Sequence, residues 1–290
     1  MPKIAILGAK GFLGCAISKH FSLCGWEVVS LSRRIGLGPN STEVFADLFD
    51  ESSLKTALAN VNADVVLSTA WDTEHGKFWT SGSNIAYRDA TLRFANLCFE
   101  SSVNTFIGLG TVSEYGNSPG YCNAESSHLV STDAYSKSKI ETGRRLMEIG
   151  LEHGKRTHWA RVFQAFGPNE KSERFIPSLI AKLNEDKDFS IRTPNFRMDW
   201  IHAADIASAI YFTLENDLNH FVDIGTGVGT TVSELASLIC EEFGLSKSRL
   251  DFSDQIPGHE KTAVADPATQ LLSLGWEPAE SLRNRIHSLH

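Results

Sequence analysis

The feature that most constrains this chain is an alternation of two kinds of segment. Strand-length apolar runs at Lys3–Leu7, Glu27–Leu31, Asp64–Ser68, Thr105–Leu109 and Thr157–Val162 are separated by helix-length amphipathic stretches. Those stretches are Phe12–Leu23, Ser52–Asn60, Asn84–Glu100 and Ala134–His153. A strand, a helix and a following strand close as a right-handed crossover. A succession of such units builds a parallel sheet buried on both faces. The expected fold class is therefore α/β, with a doubly wound parallel sheet. After Phe163 prolines become frequent, from Pro168 to Pro278, which predicts a smaller, interleaved C-terminal region. Phe221–Ile224 reads as a late strand returning to the sheet.

Composition removes several function classes. Asp and Glu total 35 against 27 Lys and Arg, for a net charge of −8 over 290 residues. A protein that binds a phosphate backbone carries a basic stripe, and this sequence has none, so no nucleic-acid partner is expected. The apolar runs are too short for a transmembrane helix, and the first strand begins at Lys3 with no charged leader. The five cysteines (Cys15, Cys24, Cys98, Cys122 and Cys240) are odd in number and lack paired spacing, which fits a reducing, cytoplasmic setting. The ten histidines show no ligand spacing, and no metal is expected.

The first strand runs into Leu7-Gly8-Ala9-Lys10-Gly11-Phe12-Leu13-Gly14 and then a helix. Glycines there allow a tight turn, close approach of a pyrophosphate, and packing of helix on sheet. The helix start then offers free N–H groups to the phosphates. This is a Rossmann-like dinucleotide site, with Gly8, Gly11, Phe12, Leu13 and Gly14 as its residues. The second strand identifies the dinucleotide. A site that prefers NAD places a carboxylate there for the ribose hydroxyls. This chain reads Ser30-Leu31-Ser32-Arg33-Arg34, whose guanidinium groups can fork onto a 2′-phosphate, which points to NADP(H); the alternative is a solvated surface pair. Asp47, in Ala46-Asp47-Leu48, can meet the adenine amino group.

Tyr135 and Lys139 lie four apart, on one face of a predicted helix. A neighbouring ammonium lowers a phenol's pKa from about 10 toward neutrality, suiting proton exchange with a carbonyl or alcohol. The alternative is a half-exposed face with a cation over a ring.

The glycine-rich turn, the loop Gly110-Thr111-Val112-Ser113-Glu114-Tyr115-Gly116 and the Tyr135/Lys139 pair together resemble the extended short-chain dehydrogenase/reductase superfamily. More narrowly, they resemble its NAD(P)-dependent nucleotide-sugar epimerase/dehydratase/reductase branch. The resemblance spans nearly the whole chain. It includes Asp47-Leu48, Ser68-Thr69-Ala70, Asn84, Phe166-Gly167-Pro168-Asn169, Asp199-Trp200-Ile201-His202 with Asp205, and Leu274-Gly275-Trp276-Glu277-Pro278. It implies that Tyr135 is the acid/base, that Lys139 binds the nicotinamide ribose and depresses the tyrosine pKa, and that Thr111 polarises the sugar oxygen. It also implies that Ser32, Leu48 and Ala70 contact the cofactor, and that two long helices, Asn84–Glu100 and Ala134–His153, build a homodimer. Residues 1–163 then form the NADP-binding domain and 164–290 mainly the substrate-binding region.

Departures from the family pattern narrow the reaction. Dehydratases place Asp-Glu directly after the catalytic Thr, and here those positions are Val112 and Ser113. Two positions that normally touch the nucleotide diphosphate are Gln164 and Met198; Arg197, adjacent on a strand, points to the opposite face, and Arg192 is a substitute. The segment Trp71-Asp72-Thr73-Glu74-His75-Gly76-Lys77-Phe78-Trp79 follows the third of these strands. It is expected to wall the sugar pocket through Trp71, His75 and Lys77, or else to pack its aromatics beneath. Ser113 is also expected at the substrate. Gly225-Thr226-Gly227-Val228-Gly229 lacks the Lys-Ser/Thr ending of a P-loop and reads as a turn before a helix N-cap. The sequence-based expectation is an NADP(H)-dependent reductase of a keto group, C4 by the resemblance, on a nucleotide-activated deoxysugar. The alternatives are an NAD-dependent 4-epimerase and a catalytically silent dinucleotide sensor.

Overall fold

The structure, a computed structural model, describes every residue except 35, 37–41, 118–119, 219 and 257–260. The chain begins β1 (Lys3–Leu7), α1 (Phe12–Leu23), β2 (Glu27–Ser32), β3 (Thr42–Phe45), α2 (Glu51–Val61), β4 (Val65–Ser68), α3 (Ser83–Phe99) and β5 (Thr105–Thr111). It continues with β6 (Gly120–Cys122), α4 (Ala134–His153), β7 (Arg156–Val162), β8 (Gln164–Phe166), α5 (Phe175–Asn184), β9 (Phe189–Ser190), β10 (Arg197–His202), α6 (Ala203–Glu215) and β11 (Phe221–Ile224). The last elements are β12 (Gly229–Thr231), α7 (Val232–Phe243), β13 (Leu250–Asp251), β14 (Thr262–Ala265), α8 (Gln270–Ser273) and α9 (Leu282–His287).

The large sheet has the order β11-β7-β5-β4-β1-β2-β3, and every pairing in it is parallel. The order reverses between β1 and β4, which opens a crevice at the carboxyl ends of the strands. Strand side chains alternate between the two faces. Ile4, Ile6, Val65, Leu67, Ile107 and Leu109 pack toward α1 and α6. Ala5, Leu7, Val29, Leu31, Val66 and Phe106 pack toward α2, α3 and α4. A third core lies in the C-terminal half, between α5, α7 and β10.

The expected returning strand is present as β11, beside β7. The smaller sheet runs β12-β10-β14-β6, with β8 alongside β10. Asp199, on β10 and fully buried, collects the N–H and hydroxyl of Thr226 and the N–H groups of Gly227 and Ala265. The amides of Thr226 and Gly227 in this turn are thus satisfied by the chain's own carboxylate and not held for a phosphate. Thr231 caps α7 reciprocally with Glu234. The five cysteines are free. Among the described residues, no helix is long and apolar enough to cross a membrane.

The last helix is tied back by a buried pair. Arg285 donates from Nε at 2.9 Å and from a terminal nitrogen at 2.5 Å to Asp205 on α6. Asp205 is 2% exposed. Arg285→Ala leaves that carboxylate without its charge partner, keeping the Ala279 N–H at 3.1 Å, and is expected to lower the unfolding free energy by about 3–5 kcal/mol. Arg285→Met with Asp205→Leu should restore most of the loss. Urea denaturation of the three proteins checks both.

Candidate active site

The turn from β1 to α1 is built by contact. Gly8 has φ +88°, and a Cβ on it would lie 2.4 Å from Thr69 Oγ1. A Cβ on Gly14 would lie 2.1 Å from the Gly8 carbonyl oxygen and 2.8 Å from Ala9 Cα, so α1 rests on the turn itself. Gly11 is the N-cap of α1, with no side-chain cap and no acidic residue in the first turn. That helix end presents unsatisfied N–H groups and a positive dipole. Phe12 and Leu13 open the helix, and Leu13 packs onto the core.

Gly8 and Gly11 line a cavity of about 420 Å³. Ser32, Arg33, Arg34, Asp47, Leu48 and Ala70 line it too, whereas Phe12, Leu13, Gly14, Tyr135 and Lys139, also expected at the cofactor, are not in its lining. Among the described residues, neither Arg33 nor Arg34 has an ion-pair partner. Lys10, Phe49 and Tyr87 also face this cavity, and the sequence analysis did not single them out. The Lys10 ammonium is held by the Arg34 carbonyl and by Glu43. A Cβ-free cradle, an open helix N-terminus and unpaired guanidinium groups fit an anionic dinucleotide.

At the other end of the crevice, β5 extends to Thr111 and passes into a 3₁₀ turn, Val112–Tyr115. Thr111 Oγ1 accepts the Ser113 N–H at 3.3 Å, and Glu114 accepts the Thr111 N–H at 2.9 Å. Asp133 caps α4, which brings Tyr135 and Lys139 onto one buried face. Tyr135 is held by its N–H to the Trp79 carbonyl at 3.2 Å and boxed by the rings of Phe78 and Trp79.

The pKa relationship differs from expectation. Burial pushes the Tyr135 phenol well above its ordinary value, the Thr111 hydroxyl pulls it down, and the Lys139 ammonium lies 5.8 Å from the centre of its ring. Lys139 instead donates to the Leu109 carbonyl at 2.7 Å and lies 3.8 Å from the Trp71 ring centre. Its own pKa falls to about 7, chiefly through burial. The spacing of Tyr135 and Lys139 on a helix carries no information about this desolvation.

The segment after β4 divides. Trp71 lines the dinucleotide cavity and donates its indole N–H to Asn84 at 2.9 Å, and Phe78 is buried against Tyr135. His75 and Lys77 are exposed, and Lys77 pairs with Glu74 at 2.5 Å. Ser113 and Gln164 are half-buried, next to Thr111 and on β8 respectively. Arg197 donates to the Gly229 carbonyl at 2.7 Å, while Met198 packs on the third core and Arg192 is exposed.

Four charged residues were not anticipated. Arg174, at the start of α5, acts on the Tyr135 hydroxyl and pairs with the buried Glu170 at 3.2 Å. Glu114 and Arg161 form a fully buried ion pair at 2.8 Å. The available signal was Arg161 itself, a cation inside the apolar run Thr157–Val162. Because Gly14 has backbone on the side where a Cβ would go, Gly14→Ala is expected to cost about 1–3 kcal/mol of stability. It should also weaken dinucleotide binding, as read by thermal unfolding with and without NADPH.

Comparison with known proteins agrees with this geometry. A model of the NAD dependent epimerase/dehydratase family matches residues 4–225. A dTDP-6-deoxy-L-talose 4-dehydrogenase (NAD(P)(+)) of Kitasatospora kifunensis is 25% identical, over 99% of this chain and 94% of its own length. A UDP-glucose 4-epimerase of Rhizobium meliloti is 24% identical, over 96% and 93%. The solved UDP-glucose 4-epimerase of Thermotoga maritima, with UDP-glucose, superposes with a TM-score of 0.86 at 20% identity, covering 99% of this chain and 97% of that one. With a family match across most of its length and the family's fold around a dinucleotide cradle, this chain belongs to the NAD dependent epimerase/dehydratase family.

Proposed function

We propose that the protein is an NADP(H)-dependent reductase of a keto group, C4 by likeness to the family, on a nucleotide-activated deoxysugar. The observation that carries this reading is the cavity's cationic edge. β2 ends at Ser32, and Arg33 and Arg34 follow at the cavity wall with no carboxylate on that strand end. Two guanidinium groups suit a 2′-phosphate, and a reductase draws on exchanging NADPH.

The bound nicotinamide supplies a hydride to the carbonyl carbon. Tyr135, kept as the neutral phenol by burial, is a proton donor to the ketone oxygen, so an alcohol results. Thr111, whose hydroxyl lowers the pKa of the same phenol, would donate a hydrogen bond to that oxygen. Lys139 and Ala70 would hold the nicotinamide half, with Gly8, Gly11, Phe12, Leu13, Gly14, Ser32, Asp47 and Leu48 on the remainder. Trp71, Ser113 and Gln164 would contribute to the substrate side, with Arg197 less directly, through the strand it fixes. Residues 1–163 would serve mainly the cofactor and 164–290 mainly the sugar nucleotide. The side-by-side packing of α3 and α4 supports a homodimer built on these helices.

The second reading, an NAD-dependent 4-epimerase, is favoured by the likeness to UDP-glucose 4-epimerases in sequence and fold. Val112 and Ser113 stand where a dehydratase has its acid and base, which disfavours dehydration.

Two experiments separate the readings. Nucleotide released from the denatured protein should be NADP(H) at less than one per chain; stoichiometric, non-exchanging NAD would establish the epimerase. Arg33→Ala with Arg34→Ala should weaken NADPH about ten- to a hundred-fold and leave NADH nearly unchanged in fluorescence titrations. Tyr135→Phe should cut turnover of 4-keto nucleotide sugars by about 10²–10⁴-fold while NADPH still binds; full turnover would remove the acid role.

A further inference from the structure

Lys139 is 5% exposed, and among the described residues no carboxylate forms an ion pair with it. An ammonium has three N–H donors to place. One goes to the Leu109 carbonyl at 2.7 Å. Nζ also lies 3.8 Å from the Trp71 ring centre, whereas the rings of Trp159 and Tyr135 are farther, at 5.5 and 5.8 Å. The face of an aromatic ring is the negative side of its quadrupole. Tryptophan attracts a cation most strongly, and more so where water is excluded.

The indole is itself held. Trp71 Nε1 donates to Asn84 Oδ1 at 2.9 Å. Asn84 is fully buried, and its amide nitrogen donates to the Phe78 carbonyl at 2.7 Å and to the Ser81 carbonyl at 2.9 Å. Both amide protons are thus engaged by carbonyls, so the oxygen is the atom turned to the indole N–H. Tyr87, three residues along α3, lies beside the indole with ring centres 5.8 Å apart, and Phe49 meets Tyr87 at 4.9 Å. Trp71, Tyr87 and Phe49 all line the dinucleotide cavity. One helix therefore fixes the edge of the ring that Lys139 rests on and supplies its aromatic neighbour.

We propose that Trp71 is a positioning residue for Lys139: with its edge pinned by Asn84, its face holds the buried ammonium beside the dinucleotide cavity, where a carboxylate would otherwise serve. This rests on the reading of Lys139 as a residue that holds the nicotinamide half. A carboxylate in that place would anchor the amine too, but would offset its charge and occupy its N–H groups. A neutral ring face leaves the full charge, and a free N–H, for the hydroxyls of a ribose.

The test is a double-mutant cycle read by cofactor affinity, which requires no sugar substrate. NADPH and NADH are titrated by fluorescence into the native protein, Trp71→Leu, Lys139→Met and the double variant, and the tighter-bound of the two is compared. Trp71→Leu should weaken it about three- to thirty-fold. The same change on the Lys139→Met background should have little further effect, because the ammonium that the ring serves is gone. Trp71→Phe keeps a ring face and should recover part of the loss. If Trp71→Leu does not fold, the cycle is run with Trp71→Phe, for which a smaller coupling is expected. A spectroscopic signature accompanies the cycle. In the full chain with lysine labelled with ¹³C at Cε, the Lys139 methylene protons are assigned by their absence in Lys139→Met. The indole should move them upfield of the other lysines, and Trp71→Leu should abolish that displacement.

Equal losses of affinity on the two backgrounds would overturn the proposal and make Trp71 a direct contact of the cofactor. Lys139 protons that do not respond to Trp71 would overturn it as well. Coupling of the two residues in a protein that turns over no ketosugar would uphold the positioning and fault the reading of the reaction. A native protein that binds neither dinucleotide would fault the cofactor reading itself, and the proposal with it.

Discussion

A parallel sheet buried on both faces leaves polar chemistry few places to go. Its backbone groups are consumed by the ladders, and its side chains by the two cores, so ligand-directed groups are confined to the strand ends. That constraint accounts for where the chain keeps its reactive residues. Gly8 follows β1, Arg33 follows β2, Trp71 follows β4, Thr111 ends β5, and Gln164 follows β7. The glycine turn and the groups proposed for acid–base work thus occupy one edge of one sheet, fed by five different strands. Tyr135 and Lys139 reach the same edge from the first turns of α4, positioned by the Asp133 cap.

Much of this was legible because the signals are local. β1, α1, α4 and β11 have the bounds that periodicity and turn residues predict. The glycines of the first turn were identifiable because each answers a backbone need: Gly8 for its positive φ, Gly14 for contact with the Gly8 carbonyl. The C-terminal half resisted reading for the opposite reason. β8 and β12 have three residues each and β9 and β13 only two, too short for any period to show. Their pairings also join distant segments, as where Gly120 meets Ala263. No local pattern encodes such a partner.

The site shows the same division. Phenol and amine stand out by their spacing and the Thr111 hydroxyl by the resemblance, and Gly8, Gly11, Ser32, Arg33, Arg34, Asp47, Leu48 and Ala70 line one cavity. Glu114, Arg161 and Asp223 do not stand out, because each alone resembles an ordinary charged residue, and their meaning lies in meeting across a turn and two strands. Spacing places an ammonium four residues from Tyr135, but it carries no sign that Phe78 and Trp79 pack on the phenol ring or that burial raises its pKa.

Asp199 has a consequence for how the molecule can move. Its single carboxylate gathers groups that follow β11 of the large sheet and the Ala265 N–H on β14 of the small one. A hinge rotation between the two sheets would have to part these bonds together and leave a bare charge in an apolar interior. One buried carboxylate thus acts as a rivet between the two sheets, where each of its bonds resists their separation.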